Sequence, residues 1–485
     1  MRILHVCSEL FPLLKTGGLA DVTGALPPAL AKLGCDGRVL LPGFPAFMNG
    51  IENLELVTEI PAKFGATEIR LLSGIIPNTT ILAYVIDAPG LFDRTGNPYS
   101  DADNKAYQDN YRRFALLGWV AARIADGIDS EWSPEVVHGH DWHAGLAAAY
   151  IKAAEIYTGK KLAGTVLTVH NLAYQGVFPA HVFHELELPG YFFNVNGLEF
   201  FGQLSLLKAG LFFSDKLTTV SPTYAKEIQG EEQGCGLSGL LGSRSQDLIG
   251  ILNGVDPEVW NPAVDKLINT NYSAKTITGK AKCKTALQEH TGLKVQNEFP
   301  LFTIVSRLTE QKGLHLVVEG IYEIIKRGGQ VAILGSGEAE IEKAFVEVAA
   351  KHPESVAVQL GYDEDHAHRL VAGGDVILVP SRFEPCGLTQ LYGMIYGTLP
   401  LVHNVGGLAD TVTDCSLENL ADETANGFVF NDFSVTGFNS AVRRAFALFA
   451  RKTEWKKVQK LAMQQDLTWD AAAQKYFEVY QQVAK

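Results

Sequence analysis

Lysine and paired glycines follow the first apolar run of the chain, in the order Lys15-Thr16-Gly17-Gly18. Glycines allow a backbone to approach a ligand closely, and the free N–H groups at the start of a following helix attract anions. Lys15 adds a positive charge, so the motif predicts a site for a diphosphate. A glycine turn beside a solvated lysine is the alternative, because the motif is neither a Walker A sequence nor a complete dinucleotide fingerprint.

A basic pair, Arg307 and Lys312, stands in SRLTEQKG directly after the apolar run Leu301–Val305. Ligands of open parallel sheets bind at the C-terminal ends of the strands. The fork of an arginine and the point charge of a lysine together suit phosphate oxygens. Ordinary surface charge is the alternative, and the place after a buried strand favours an anion site.

One carboxylate, Glu384, lies in RFEPCG between the apolar run Val376–Val379 and the glycine-rich stretch GLTQLYGMIYG. A carboxylate in apolar surroundings costs free energy unless it binds hydroxyls or a cation. Sugar hydroxyls are suitable partners, which makes Glu384 a candidate for holding a sugar. The alternative is a helix-capping acid or an internal ion pair with Arg382.

Histidines and an aspartate cluster in HGHDWHAG, and TVHNLAYQG adds a further histidine; the residues are His138, His140, Asp141, His143 and His170. Both residue types are metal ligands. However, His138 and His140 share one strand face whereas His143 is expected in the next helix, so metal binding is the less favoured hypothesis. Polar groups at two strand ends that bind sugar hydroxyls are preferred, and buried structural histidines are the remaining alternative.

Two glycines in Gly335-Ser336-Gly337 follow the run Val331–Leu334, where a dinucleotide fingerprint would begin. Glu340 stands at the position of the third glycine and breaks that fingerprint. We therefore predict a plain tight turn rather than an NAD site.

Short β-branched runs alternate with amphipathic stretches along the chain, which predicts an α/β fold with doubly wound parallel sheets covered on both faces. A chain of 485 residues is too long for one ordinary core, and the sequence GVDPEVWNP is rich in turn formers. We predict two Rossmann-like domains, 1–253 and 254–465, facing a deep cleft, and a helix in 466–485 that crosses back to the first domain. The predicted strands are Ile3–Cys7, Arg38–Leu41, Ile81–Ile86, Val136–His138, Thr165–Val169, Leu217–Val220, Leu301–Val305, Val331–Leu334, Val356–Leu360, Val376–Val379 and Leu399–Val402.

The pentapeptide GGLAD occurs twice, at Gly17–Asp21 and at Gly406–Asp410, each time between a strand-like and a helix-like run. If the two domains have similar folds, the two loops should face each other across the cleft. Chance similarity of two strand-to-helix turns is the alternative.

The chain carries a formal net charge of -13, with 47% apolar and 20% charged residues. Such a charge repels nucleic acid and anionic membranes, so neither is expected as a partner. Its six cysteines form no Cys-x-x-Cys pair, which argues against a zinc site or redox dithiol and fits a reducing compartment. The N-terminus lacks the features of a signal peptide and no apolar stretch approaches a membrane span, so a cytoplasmic protein is expected.

Seven motifs occur in order: KTGGLADV, HGHDWHAG, TVHNLAYQG, NGVD, SRLTEQKG, SRFEPCGLTQLYGM and GGLADTV. Over essentially its full length the chain resembles the family of bacterial glycogen synthases and, more distantly, plant starch synthases. The resemblance implies a GT-B fold and retaining transfer of glucose from ADP-glucose to the non-reducing end of an α-1,4-glucan such as glycogen, without metal or other cofactor. The oligomeric state is not implied.

Individual roles follow from the resemblance, motif by motif. Glu384, Arg307, Lys312 and His170 look like the residues around the reacting sugar and its diphosphate. The acceptor and sugar cleft is similar at Asp21, Tyr99 and Asp141. The residues that resemble the donor site are Lys15, Gly18, Asn253, Arg307, Lys312, Tyr362 (stacking on adenine), Cys386, Gly387, Leu388, Thr389 and Gly407.

Many related retaining enzymes carry a second glutamate eight residues after the first, where this chain has Tyr392. This matches the glycogen and starch synthase branch. No residue stands out as a covalent nucleophile, so we predict a front-face displacement in which the leaving phosphate takes the proton. Another nucleotide-sugar enzyme such as an epimerase, a phosphorylase dependent on pyridoxal phosphate, and a noncatalytic glucan-binding protein are the alternatives.

Overall fold

The chain forms two units in the computed structural model, which describes residues 1–484. The first unit comprises Met1–Asn253 together with the chain from Trp469 onward, and the second is Gly254–Thr468. The division therefore lies between Asn253 and Gly254, and the chain returns to the first unit at Trp469.

A nine-stranded sheet organises the first unit, in the order β12-β11-β7-β6-β1-β2-β5-β4-β3. The pairs from β12 to β5 are parallel, and β4 and β3 add antiparallel strands at one edge. A separate antiparallel sheet has the order β8-β10-β9. The strands are β1 (Arg2–Val6), β2 (Asp36–Pro42), β3 (Glu52–Ile60), β4 (Ile69–Ile75), β5 (Leu82–Asp87), β6 (Val136–His140), β7 (Gly164–Val169), β8 (Val177–Pro179), β9 (Glu199–Phe200), β10 (Gln203–Ser205), β11 (Lys216–Thr219) and β12 (Leu248–Gly250).

Helices cover the large sheet of the first unit. The parallel strands β6 and β7 are buried along their whole length, as expected where helices pack on both faces of a sheet. Three short 3-10 turns occupy Trp142–Ala144, Ala180–Leu186 and Gly190–Phe192. The helices are α1 (Gly18–Lys32), α2 (Pro45–Gly50), α3 (Pro89–Phe92), α4 (Asn110–Ala125), α5 (Leu146–Thr158), α6 (Leu206–Phe213), α7 (Pro222–Glu227) and α8 (Ser238–Ser243).

A six-stranded, fully parallel sheet organises the second unit, in the order β15-β14-β13-β16-β17-β18. Numbered within the unit this is 3-2-1-4-5-6, the doubly wound order of dinucleotide-binding folds. The strands are β13 (Leu301–Val305), β14 (Gln330–Gly335), β15 (Val356–Leu360), β16 (Val376–Val379), β17 (Leu399–His403) and β18 (Phe428–Phe430). The helices are α9 (Thr278–Thr291), α10 (Leu314–Lys326), α11 (Ala339–Lys351), α12 (Glu364–Gly373), α13 (Thr389–Ile395), α14 (Gly406–Thr411), α15 (Leu417–Ala421), α16 (Val435–Phe449) and α17 (Lys452–Met463).

The last helix, α18 (Trp469–Val483), completes the core of the first unit. It packs on α1, where its apolar stripe meets Val22, Leu26 and Leu30. The one-sided stripe predicted from the sequence is confirmed, since each of its residues is buried: Trp469, Ala473, Tyr476, Tyr480 and Val483.

Where the sequence predicts a plain tight turn, Gly335 ends β14 and Gly337 forms a parallel bridge with Leu308. A Cβ added at Gly335 would lie 1.9 Å from the carbonyl oxygen of Ser306, and one at Gly337 would lie 2.3 Å from that of Leu308. The glycines are thus required for the close approach of two loops.

Candidate active site

Each large sheet has one point where the strand order reverses, and polar loops follow the two strands that meet there. In the second unit these strands are β13 and β16, which pair directly. In the first unit they are β1 and β6. Open α/β sheets bind ligands at this point, beyond the C-terminal ends of the strands. The sequence-predicted residues after β13, β16, β1 and β6 therefore stand where the fold favours a site.

Glu384 follows β16, and its carboxylate is buried with two partners. Its Oε2 accepts hydrogen bonds from Lys312 Nζ at 2.5 Å and from Ser381 Oγ at 2.9 Å. The ion pair with Arg382 that we considered is wrong, because the guanidinium of Arg382 lies over the ring of Phe433, 4.8 Å from its centroid. Lys312, which was predicted to bind the diphosphate, thus neutralises Glu384, which was predicted to bind the sugar.

A small cavity of about 50 Å³ adjoins this pair in the second unit. Its walls come from the ends of β13 and β16 and from the loop before α13. The sequence-predicted residues that line it are Lys312, Glu384, Gly387, Leu388 and Thr389. Five predicted residues from two separate motifs therefore share one cavity.

Other predicted residues of the second unit lie outside the walls of this cavity. Arg307 is exposed, and Tyr362 is 72% exposed, so both are open to a ligand from solvent. Cys386 is buried. The amide of Gly407 already donates to the carbonyl oxygen of Glu384 at 3.1 Å, so it fastens two loops together instead of offering a free N–H to phosphate.

A larger concavity of about 260 Å³ lies beside α15 and α17, away from every predicted residue. Its charged residues are paired with each other, Lys457 with Glu423 and Arg451 with Glu454. Because these pairs leave no net charge for an anion, the smaller cavity at the strand ends is the better candidate.

Glu9, immediately after β1, organises the Lys15-Thr16-Gly17 loop of the first unit. Its carboxylate accepts hydrogen bonds from the backbone N–H groups of Thr16 (2.7 Å) and Gly17 (3.2 Å) and from the Thr16 hydroxyl. These two amides, just before α1, are therefore occupied by the protein's own carboxylate. Lys15 Nζ pairs with Asp21 Oδ1 at 2.9 Å on the solvent side, and Gly18 begins α1.

Tyr99 is tied to the same carboxylate. Its hydroxyl lies 2.5 Å from Glu9 Oε1 and 3.0 Å from Ser8 Oγ. Its ring stacks on His143 with centroids 4.5 Å apart. Sequence reasoning missed Glu9 as a site residue, although a carboxylate that interrupts an apolar run just after a strand is the signal that could have revealed it.

Asp141 and His170 follow neighbouring strands, β6 and β7, and contact each other. Asp141 has a positive φ of 57°, and its Oδ1 accepts the backbone N–H of His170 at 2.7 Å. Burial raises the pKa of the Asp141 carboxyl to about 7. It lowers the pKa of the His170 imidazole to about 3, so this ring is neutral at physiological pH.

Three buried histidines, His5, His138 and His140, bring ring nitrogens close enough to one another to raise the question of a metal. Five of their six nitrogens are hydrogen-bonded, and His5 Nε2 is the exception among residues 1–484. His138 bonds to Tyr480 Oη and Thr168 Oγ1, and His140 bonds to His5 and to His170. A metal would have to replace these hydrogen bonds, so the donor set suits a hydrogen-bonded network better than a metal centre.

Two further positions from the sequence analysis remain, one in each unit. Asn253, the last residue before the division, is buried, and its Oδ1 has no hydrogen-bond partner among residues 1–484. Tyr392, where related enzymes have a second glutamate, stacks on Trp260 with ring centroids 3.9 Å apart. An aromatic residue at position 392 thus packs in the core of the second unit.

Two doubly wound units in one chain, each with charged loops at its point of strand-order reversal, agree with a glycosyltransferase of the GT-B type. Comparisons with known proteins agree. The family model of the starch synthase catalytic domain matches residues 2–243, and that of glycosyl transferases group 1 matches residues 299–447. The chain belongs to the glycogen synthase family.

Close relatives cover the full length. Glycogen synthase from Francisella tularensis subsp. novicida (strain U112) is 65% identical, with 100% of this chain and 99% of the relative covered. Glycogen synthase from Francisella philomiragia subsp. philomiragia is 66% identical over 100% of both chains. Among solved structures, the catalytic domain of starch synthase IV from Arabidopsis thaliana, bound to ADP and acarbose, matches with a TM-score of 0.89 and 30% identity, covering 100% of this chain and 99% of that one.

A sucrose-phosphate synthase from Thermosynechococcus elongatus matches with a TM-score of 0.58 at 15% identity, covering 99% of this chain and 98% of that one. This likeness supports the fold alone. Within residues 1–484 no helix is both long and apolar enough to cross a membrane.

Proposed function

We propose that this glucosyltransferase moves glucose from ADP-glucose to the non-reducing end of an α-1,4-glucan and keeps the α configuration. The observation that carries the proposal is the Lys312–Glu384 pair at the cavity of the second unit, at the point where its fold favours a ligand. The names of the full-length relatives and of the ADP-bound structural neighbour support the two substrates.

Arg307 and Lys312 are assigned to the departing ADP. Negative charge grows on the diphosphate oxygens as the glycosidic bond breaks, and a fixed cation stabilises that charge without reorganising solvent. Lys312 pairs with Glu384 in this structure, so binding ADP requires it to exchange the carboxylate for a phosphate oxygen. Tyr362, exposed beyond β15, is assigned to adenine.

Glu384 is assigned to the hydroxyls of the transferred glucose, and His170 and Asp141 to the sugar side in the first unit. The acceptor hydroxyl attacks the anomeric carbon from the face that ADP leaves. Its proton passes to the leaving phosphate. We propose that none of these steps requires a bound cofactor.

We propose in addition that the reaction is independent of metal, because the ring nitrogens of the one histidine cluster in residues 1–484 that could hold an ion are almost all hydrogen-bonded. Activity should be unchanged after dialysis against EDTA. Loss of activity that Mg²⁺ or Mn²⁺ restores would contradict this. The six cysteines are all free thiols, which supports our assignment to the cytoplasm.

Glucan labelling tests the proposed function. The purified chain is incubated with glycogen and ADP-glucose labelled in the sugar, with UDP-glucose as the matched donor. We expect label in glycogen, released by an α-1,4-specific glucanase, and a higher kcat/KM for ADP-glucose. Binding of glycogen without incorporation would support a noncatalytic glucan-binding protein. Release of glucose 1-phosphate with inorganic phosphate, together with pyridoxal absorbance, would support a phosphorylase.

A further inference from the structure

Three imidazoles form a continuous hydrogen-bonded chain from the core of the first unit to His170. His5 Nδ1 lies 3.3 Å from His140 Nε2, and His140 Nδ1 lies 3.1 Å from His170 Nε2. The rings are nearly stacked, with centroids 5.6 Å and 5.4 Å apart. His5 and His140 are fully buried, and His170 is half-buried.

A chain of neutral imidazoles has only two consistent proton arrangements, because each contact needs one N–H and one lone pair. Burial lowers the pKa of all three rings, so each carries a single proton. Either every ring is protonated at Nδ1, or every ring is protonated at Nε2. The nitrogen that is protonated in His5 therefore determines which nitrogen is protonated in His170.

The buried end of the chain decides between the two arrangements. His5 Nε2 is sealed from solvent and has no hydrogen-bond partner among residues 1–484. Protonation at Nε2 would leave a buried N–H without an acceptor, whereas protonation at Nδ1 leaves only a bare lone pair. Orphaned buried N–H groups are the rarer defect in proteins. The Nδ1–H arrangement is therefore favoured along the whole chain.

We propose that His5 and His140 are positioning residues that fix His170 as the Nδ1–H tautomer, so that it presents a hydrogen-bond donor to an oxygen of the transferred sugar. His170 Nδ1 makes no hydrogen bond within the described chain and is not sealed in the core. This inference rests on the proposed function for the identity of the ligand, but the tautomer itself does not depend on it.

Nitrogen-15 NMR of the intact protein with labelled histidine tests the tautomer directly, because two-bond correlations distinguish Nδ1–H from Nε2–H. His170 is assigned from the signal missing in a His170→Gln variant. Neutral Nδ1–H rings at His170 and His140 support the proposal. An Nε2–H or doubly protonated His170 overturns it, whether or not the protein makes glucan.

Kinetics test the consequence. His5→Leu removes the imidazole that fixes which nitrogen of His140 and His170 is protonated. His5→Asn keeps a hydrogen-bond donor near the Nδ1 position. We expect His5→Leu to lower kcat by about tenfold or more with little change in KM for ADP-glucose; the outer partners that orient histidine ligands of metals are worth about 10–100-fold, and the same orienting effect is expected here. His5→Asn should recover most of kcat.

Tyr480→Phe is the matched control for these variants. It removes a buried hydrogen bond to His138, in the same cluster but outside the chain that reaches His170. It should lower the unfolding temperature and leave kcat unchanged. If His5→Leu loses no more kcat than Tyr480→Phe, the positioning role is wrong, and if His5→Leu does not fold, the tautomer spectrum of the wild type decides.

Discussion

Glu384 and Lys312 neutralise each other in a partly buried place, which raises the question of whether their pair serves stability or catalysis. The Lys312 side chain is 20% exposed, so its ammonium can reach water if the carboxylate is removed. Partly exposed ion pairs contribute little to folding free energy. Glu384→Ala should therefore lower kcat by about 10²–10³ and lower the free energy of unfolding by only about 1 kcal/mol.

Steady-state kinetics and urea unfolding of the Glu384→Ala variant check both numbers. Ser381→Ala is the matched control, because it removes one hydrogen bond to the same carboxylate oxygen and keeps the charge. It should lose far less kcat. A Glu384→Ala variant that is active but much less stable than wild type would show that the carboxylate is structural.

The buried carboxyl of Asp141 makes the stability of the folded chain depend on pH. Its pKa rises from the ordinary 3.8 to about 7 in the folded chain because the carboxyl is buried. The folded state then holds a proton that the unfolded state releases between about pH 4 and pH 7, so stability falls as the pH rises through that window. Asp141→Asn cannot ionise and keeps an oxygen for the N–H of His170.

Asp141→Asn should therefore gain stability over wild type as the pH rises. The difference in unfolding free energy between variant and wild type should grow by about 2–3 kcal/mol between pH 5 and pH 8. Guanidinium titrations at the two pH values measure it, with Asp103→Asn on the exposed surface as the control for loss of a carboxylate. An equal difference at both pH values would contradict the burial effect.

The sequence predicted which residues belong to the site where a single motif contains them. It did not predict which side chains contact each other. The sequence indicated Glu384 from its apolar surroundings, but it could not show that the partner is Lys312, 72 positions away, instead of Arg382 two positions before. It also could not show that Glu9 binds the amides of Thr16 and Gly17, just before α1. Such pairings depend on where strands end in space, which residue type alone does not specify.

At the scale of elements, the apolar runs predicted strands well. All eleven predicted strands exist, with their ends shifted by one or two residues at most. Two of the missed strands lack that signal. β3 is largely exposed along its length, and β9 has only two residues. An edge strand and short antiparallel pairs do not need the continuous apolar run that a buried parallel strand requires.

Substitutions in the C-terminal helix α18 test how much this helix contributes to the stability of the first unit. Ala473 is fully buried against α1, whereas Ala471, two positions earlier in the same helix, is exposed. Ala473→Glu buries a charge without a partner and should destabilise the first unit by about 3–5 kcal/mol. Ala471→Glu makes the same change in solvent and should stay within about 0.5 kcal/mol of wild type.

Differential scanning calorimetry distinguishes these two variants. The transition that Ala473→Glu shifts should be the one that Tyr480→Phe also shifts, because both residues lie in α18 within one core. Equal unfolding temperatures for the two alanine variants would show that α18 is not required for the stability of the first unit.

At the scale of the molecule, the residues proposed for the donor are divided unequally between the units. Lys15, Gly18 and Asn253 belong to the first unit, and the others belong to the second. The second unit is continuous in sequence and has its own parallel sheet and core. With a formal net charge of -13 on the whole chain, an anionic nucleotide needs a local positive site, and Arg307 and Lys312 in this unit provide one.

The isolated second unit, residues 254–468, should therefore fold and bind ADP without the first unit. Its affinity should be lower than that of the full chain by about tenfold or more, because each lost contact of about 1.4 kcal/mol weakens binding tenfold. Isothermal titration calorimetry on the fragment measures this, and the same fragment with Arg307→Ala and Lys312→Ala is the control that should lose binding. A fragment that unfolds cooperatively on heating but takes up no ADP would move the main nucleotide contacts to the loop of Lys15 and Gly18, and the diphosphate role assigned to Arg307 and Lys312 would be wrong.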